Sequence, residues 1–227
     1  LFIRERMTRV ARHLPLVVVS PVPWFPGQGL IRRFRPHFRP PAPRREVRDG
    51  VEIFFPRYFS VPGVLKGLDG LFMALGAYPR LRRLRRRAGL DLIDAHFAYP
   101  DGYAAGLLGR WLGLPVTVTL RGTEARLVRS ASGRRRVRTA LARATRVFTV
   151  SDSLRRVALD VGTPEEKVRV APNGVDTDKF RPADRREARR ELGIAPEAPV
   201  LVSVGTLVER KGFHRVIEVL PRLRERF

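Results

Sequence analysis

His96 closes the run DLIDAHF (91–97), where an apolar strand pattern gives way to polar residues. In open parallel sheets, ligands bind outside the carboxyl ends of the strands, so this imidazole stands where chemistry is done. The next strand pattern, PVTVTL (115–120), runs into Arg121, Gly122, Thr123 and Glu124 at the same edge. Gly122 permits a close backbone approach and Arg121 can meet an anionic group. A third stretch, GTLVERKG (205–212), is a strand-to-helix turn containing Gly205, Arg210 and Lys211. Such a turn aims helical N–H groups and a positive dipole end at an anion. Asn173–Gly174 is a turn pair, suited to backbone at positive φ and to setting the angle between two domains. Each has a structural alternative: a histidine bonded to backbone, a surface turn, a solvated Arg–Lys pair.

Those residues need a scaffold that brings strand ends together. Strand patterns fall at 16–20, 51–55, 91–97, 115–120, 146–150 and 167–171, with helical patterns between them over 64–88, 103–112, 134–143 and 152–159. The helix over 64–88 is expected to break near Gly76 and Pro79, and Ser151 is placed to cap the last one. The proline-rich segment 21–50 reads as a long loop. Short connections between alternating elements predict a Rossmann-like α/β domain with a parallel sheet and helices on both faces. Residues 172–199 have linker composition, with one short helix over 184–192. A buried strand at Val200–Val204 and a helix from Phe213 then begin a second Rossmann-like domain. The predicted domains are therefore 1–171, a linker at 172–199, and 200–227. An opening amphipathic helix (Ile3, Met7, Val10, Leu14) without a preceding strand, and a single closing βα unit, lead us to expect a chain cut at both ends.

Composition narrows the function classes. The chain has 227 residues, 45 Lys plus Arg against 22 Asp plus Glu, and a formal charge of +23. Only four of the basic residues are lysines, so arginine-rich codon usage supplies part of the charge. Cysteine is absent, which excludes disulfide scaffolds, thiolate metal sites and cysteine catalysis. No apolar run of ~18 residues offers a spanning helix. The densest basic cluster, RLRRLRRR (80–87), places Arg82, Arg83, Arg85, Arg86 and Arg87 beside an apolar stretch. That segment suits an anionic membrane surface, or a helix with a solvated arginine face. A nucleic-acid role is disfavoured, because no RNP, KH, zinc or helix-turn-helix pattern occurs.

Three stretches, 92–124, 146–182 and 201–223, together resemble the glycosyltransferase family 4 enzymes of the GT-B fold, in which two Rossmann-like domains face each other across a cleft. The resemblance implies a retaining hexosyltransferase using a nucleotide-diphosphate sugar, with a saccharide or lipid-linked acceptor, in polysaccharide or cell-envelope synthesis. It places His96 in the cleft near the transferred sugar and Arg121–Glu124 on the acceptor side. It puts Gly205, Arg210 and Lys211 at the donor diphosphate, and Asn173–Gly174 at the domain hinge. Where many relatives carry His and Asp, this chain has Arg121 and Glu124, and Thr206 stands where a further Arg is common. The paired glutamates of the family's second domain have no counterpart before Phe227, so the chain by itself is expected to be inactive. No metal or other cofactor is expected; the acidic D-x-D pattern at 176–178 falls in the linker. The implied setting is the cytoplasm, peripheral on the inner face of the membrane. A non-catalytic GT-B-like binding protein is the alternative, with a basic nucleic-acid module behind it.

Overall fold

The computed structural model describes residues 2–35 and 37–226, except for the side chain of Arg210. It is an α/β protein with parallel strands and helices on both sides. Contacts divide the chain into two units, Leu1–Gly174 and Val175–Phe227.

In the first unit, β-branched runs with short connections build a four-stranded sheet of β6 (Ile93–His96), β7 (Val116–Leu120), β8 (Arg146–Thr149) and β9 (Val168–Val170), in that order and all parallel. The register sets His96 opposite Thr119 and Leu120 opposite Thr149, so the carboxyl ends lie level. Between them run α4 (Tyr103–Leu112), α5 (Glu124–Leu127), α6 (Ala131–Arg143) and α7 (Asp152–Asp160). Ser130 caps α6 by accepting from the Gly133 N–H at 3.1 Å, and Ser151 caps α7 by accepting from Leu154. Val118, Leu120, Val137, Leu141 and Val147 form the fully buried centre. Each such side chain contributes about 1.5–3 kcal/mol.

The amino-terminal third departs from the sequence reading. α1 (Phe2–Val10) leaves Leu14 exposed beyond its end. β1 (Val17–Val19) is half-buried, not enclosed on both faces. The segment expected as a loop instead holds β2 (Val22–Trp24), α2 (Gln28–Phe34) and β3 (Arg45–Arg48). β4 (Val51–Phe54) pairs with β1 in parallel and with β3 antiparallel; β2 pairs with β5 (Arg57–Phe59). Proline punctuates the segment without preventing this. Pro23 sits in a strand with one hydrogen-bonded neighbour, where a missing N–H is tolerated.

α3 (Asp69–Ala88) is one helix straight through Gly76 and Pro79, not two. Gly76 is kept small by packing, since a Cβ there would lie 2.9 Å from Tyr58 Cβ. Met73, Ala74, Ala77 and Leu81 bury the helix against Tyr58, Leu108 and Leu112, which offsets the ~3 kcal/mol a mid-helix proline costs.

The second unit contains α8 (Arg185–Glu191), capped by Asp184, and α9 (Phe213–Arg224). The strand expected at Val200–Val204 is not formed. Val202 is 76% and Val204 91% exposed, and no described residue of this unit is laddered beside them. A strand without a neighbour leaves its backbone groups to water.

Candidate functional site

Groups from the ends of three strands of this sheet, β6, β7 and β9, meet at one arginine. Arg121 leaves β7 and directs its Nε to His96 Nδ1 at 3.4 Å, with an η nitrogen also 3.4 Å from the same atom. Its other η nitrogen donates to Asn173 Oδ1 at 3.0 Å. One guanidinium thus spans from the end of β6 to the segment after β9. Because arginine only donates, Nδ1 must be the imidazole acceptor and the ring proton sits on Nε2. Nε2 faces Asp94 Oδ2 at 3.7 Å. Asp94 is in turn steadied by the Thr117 hydroxyl, which donates to Oδ1 at 2.5 Å. Burial, reinforced by the positive charges of Arg121 and Arg6, lowers the His96 pKa below 6.5, with Asp94 opposing. The ring is therefore neutral at neutral pH. Both of its contacts are longer than a good hydrogen bond, so a ligand can replace either. Burial and Arg6 also lower the Arg121 pKa from its ordinary value.

Glu124 is the support beneath this edge. It was expected on the acceptor side, yet it is completely buried. Its Oε1 accepts the Ala98 N–H at 2.9 Å, and its Oε2 accepts the N–H groups of Arg121 and Gly122 at 3.2 and 2.9 Å. A carboxylate is stable inside only when so satisfied. The effect is to tie the turn after His96 to the turn after β7. Phe97, between His96 and Ala98, is held at φ 74°, and Gly122 takes φ 126°, where a side chain is strained. Thr123 is exposed beside them.

Asn173 and Gly174 do not form the expected left-handed turn, as neither has a positive φ. The Arg121 bond to Asn173 holds that stretch instead. In the second unit, Gly205 and Lys211 come together: a Cβ at 205 would lie 3.8 Å from Lys211 Cδ and 3.3 Å from the Phe213 ring. Lys211 is exposed in the turn Glu209–Lys211, just ahead of α9. The side chain of Arg210 lies outside the described residues. On α3, Arg82, Arg83, Arg86 and Arg87 line an open depression beside Tyr78, and Arg85 is exposed next to them.

Sequence reasoning missed Asp94 and Asp101. Asp94 was legible, because residues two apart on a strand share a face. Asp101, half-buried just ahead of α4, has a pKa raised from 3.8 to about 6 by burial, opposed by a backbone N–H bond and aided by Glu124. Nothing local in YPDG signals that burial.

Residues 27–179, which include every group of this strand-end site but Arg6, match the model of Glycosyltransferase Family 4. The chain belongs to glycosyltransferase family 4. A family relative from Bacillus subtilis strain 168, TuaC, named for teichuronic acid biosynthesis, is 28% identical over 93% of this chain and 55% of its own length. A D-inositol 3-phosphate glycosyltransferase of Geodermatophilus obscurus is 37% identical over 34% of this chain and 17% of its own. The family 4 chain described here thus spans about half the length of TuaC and less of the second relative. Among solved structures, Anabaena Alr3699/HepE in complex with UDP aligns at TM-score 0.46 and 18% identity, over 76% of this chain and 42% of that one.

Proposed function

We propose that this chain carries the acceptor-side domain, and the opening of the donor-side domain, of a GT-B glycosyltransferase. The enzyme moves a hexosyl group, with retention, from a nucleotide-diphosphate sugar to a saccharide or lipid-linked acceptor in polysaccharide or cell-envelope synthesis. The observation that best supports this reading is the joining of His96, Arg121 and Asn173 at one sheet edge, inside the span that matches the family. Relatives named for teichuronic acid biosynthesis and inositol phosphate glycosylation point the same way.

In such a transfer, positive charge develops on the sugar ring and negative charge on the leaving diphosphate. Preorganised donors at the place where charge appears are the main source of acceleration. Lys211 and the first turn of α9 are the groups assigned to the diphosphate, with Gly205 keeping the approach open. His96, neutral and carrying its proton on Nε2, is assigned to the transferred sugar and Arg121 to the acceptor side. Asn173 and Gly174 mark the hinge between the domains. The α3 arginines are assigned to an anionic cytoplasmic membrane surface, each adding about 1 kcal/mol near headgroups. No metal takes part in this scheme, and nucleic acid is not a partner.

The test uses protein from the complete reading frame that contains this sequence, incubated with a panel of nucleotide-diphosphate sugars and membrane extract. Release of nucleoside diphosphate is measured. Replacing His96 with Ala should lower turnover on the order of a hundredfold, and Lys211→Ala should weaken donor affinity more than acceptor affinity. An unchanged rate for the first or equal losses for the second removes that assignment. No transfer from any donor returns the protein to the non-catalytic alternative.

A further inference from the structure

The chain from β2 through α2 and on to β5 lines an open-mouthed hollow of about 120 Å3. Its walls are of two kinds. Trp24, Phe25 and Phe55 supply apolar and aromatic surface, while Arg32, Arg39 and Arg57 supply cations. No aspartate or glutamate lines it among the described residues. The adjoining strands handle their arginines differently: Arg45 pairs with Glu52 and Arg48 with Glu46. The three cavity arginines have no such ion pair among the described residues. Three like charges on the lining of so small a space repel one another, and a bound anion reduces that repulsion.

Arg39 is set in advance for this. It takes a left-handed backbone at φ 44°, donates to the Ser60 carbonyl at 2.6 Å, and lies 5.6 and 5.7 Å from the Phe25 and Phe38 ring centroids. A cation already fixed in place loses little freedom when a ligand arrives. Arg32 and Arg39 are half-buried and Arg57 is exposed at this lining; together they carry more donors than a carboxylate's two oxygens take, and they suit a phosphoryl group. The volume holds several waters and is well below that of a pocket for a whole drug-sized ligand. Outside the cavity, Leu30 and Phe34 of α2 are 60% and 81% exposed, so an apolar continuation of the ligand has a surface to follow.

We propose that this cavity binds a phosphate ester, its oxygens on Arg32, Arg39 and Arg57 and its carbon portion against the aromatic wall. That the ester belongs to the acceptor rests on the proposed function; that the cavity binds phosphate does not.

The test titrates inorganic phosphate into the 227-residue chain by calorimetry at constant ionic strength, with acetate as the control, since a charge of +23 draws any anion. Saturable binding is expected for phosphate and not acetate. It should weaken at least tenfold in the Arg32→Gln/Arg57→Gln pair and stay unchanged in Arg185→Gln/Arg186→Gln, two exposed positions of α8. Circular dichroism checks folding, and Arg57→Gln alone serves if the pair unfolds. Glucose 1-phosphate and phosphatidylcholine vesicles containing phosphatidic acid are then compared. Loss of the first in the cavity variants identifies a soluble ester, and loss of the second a lipid headgroup. Equal weakening by both arginine pairs, or binding retained by the cavity variants with every probe, overturns the proposal. Sugar transfer without phosphate binding removes this site and leaves the function standing; phosphate binding without transfer does the reverse.

Discussion

Just ahead of α4, burial acts against a charge that helix N-termini normally favour. The helix end offers a carboxylate about 0.3–1 kcal/mol at an exposed site. Asp101 nonetheless has its pKa raised from 3.8 to about 6, so desolvation outweighs that gain. A raised folded pKa means the proton is held more tightly in the native state. The associated stability is therefore fully present below pH 3.8, is lost as pH rises toward 6, and is absent above it. At about 1.4 kcal/mol per unit, the loss is on the order of 2 to 3 kcal/mol. Asp101→Asn should therefore raise unfolding free energy at pH 7 and flatten its pH dependence between 4 and 6 in urea titrations. A variant less stable at pH 7 than the parent would show that the carboxylate is held by contacts stronger than its burial. Glu124 has a structural role, since three backbone donors depend on it. Glu124→Gln turns an amide N–H2 toward at least one of them, at a cost of about 1–3 kcal/mol. It should also loosen Arg121 from His96, so the His96 pKa, followed by NMR, should move back toward 6.5. A stable variant with an unmoved His96 would relieve Glu124 of its positioning role.

Among the elements, α4 shows contact overriding propensity. Alanine is favoured over glycine inside a helix by about 1 kcal/mol, so Gly109→Ala would stabilise an exposed helix. Here a Cβ would sit 2.8 Å from the Leu114 carbonyl oxygen and closer still to Val116 Cγ2. The methyl group would push α4 off β7, costing about 1–3 kcal/mol, more than propensity returns. The expected net result is a drop of roughly 1–2 kcal/mol in denaturant-derived stability, and any gain would show that α4 and β7 pack more loosely than described. The same balance governs Pro79, where a buried face keeps α3 continuous.

For the molecule as a whole, protection is divided between the two units. The first holds every described buried residue of the core, whereas none of the second unit's described residues is buried. Local stability follows buried contacts and protected backbone bonds. Hydrogen exchange should therefore be slow through β6–β9 and near the unstructured rate at Val202–Val204. Slow exchange there would mean that VLVSV is paired in solution.

Local patterns were enough to locate the regular part of the first unit. Periodicity and capping located β6, β7, β8, α4 and α7 almost to the residue, because strand alternation, apolar runs and a Ser151 cap are local signals. The same patterns put His96 and Arg121 at strand ends. Long-range packing settled that one guanidinium joins His96 to Asn173, that Glu124 turns inward, and that the proline-rich segment after β1 pairs into sheets. Each of those outcomes depends on partners far along the chain, and distant partners leave no periodic trace in the residues between them. The missing strand at Val200–Val204 has the same cause from the other side, because its apolar pattern is correct but a ladder requires a neighbour.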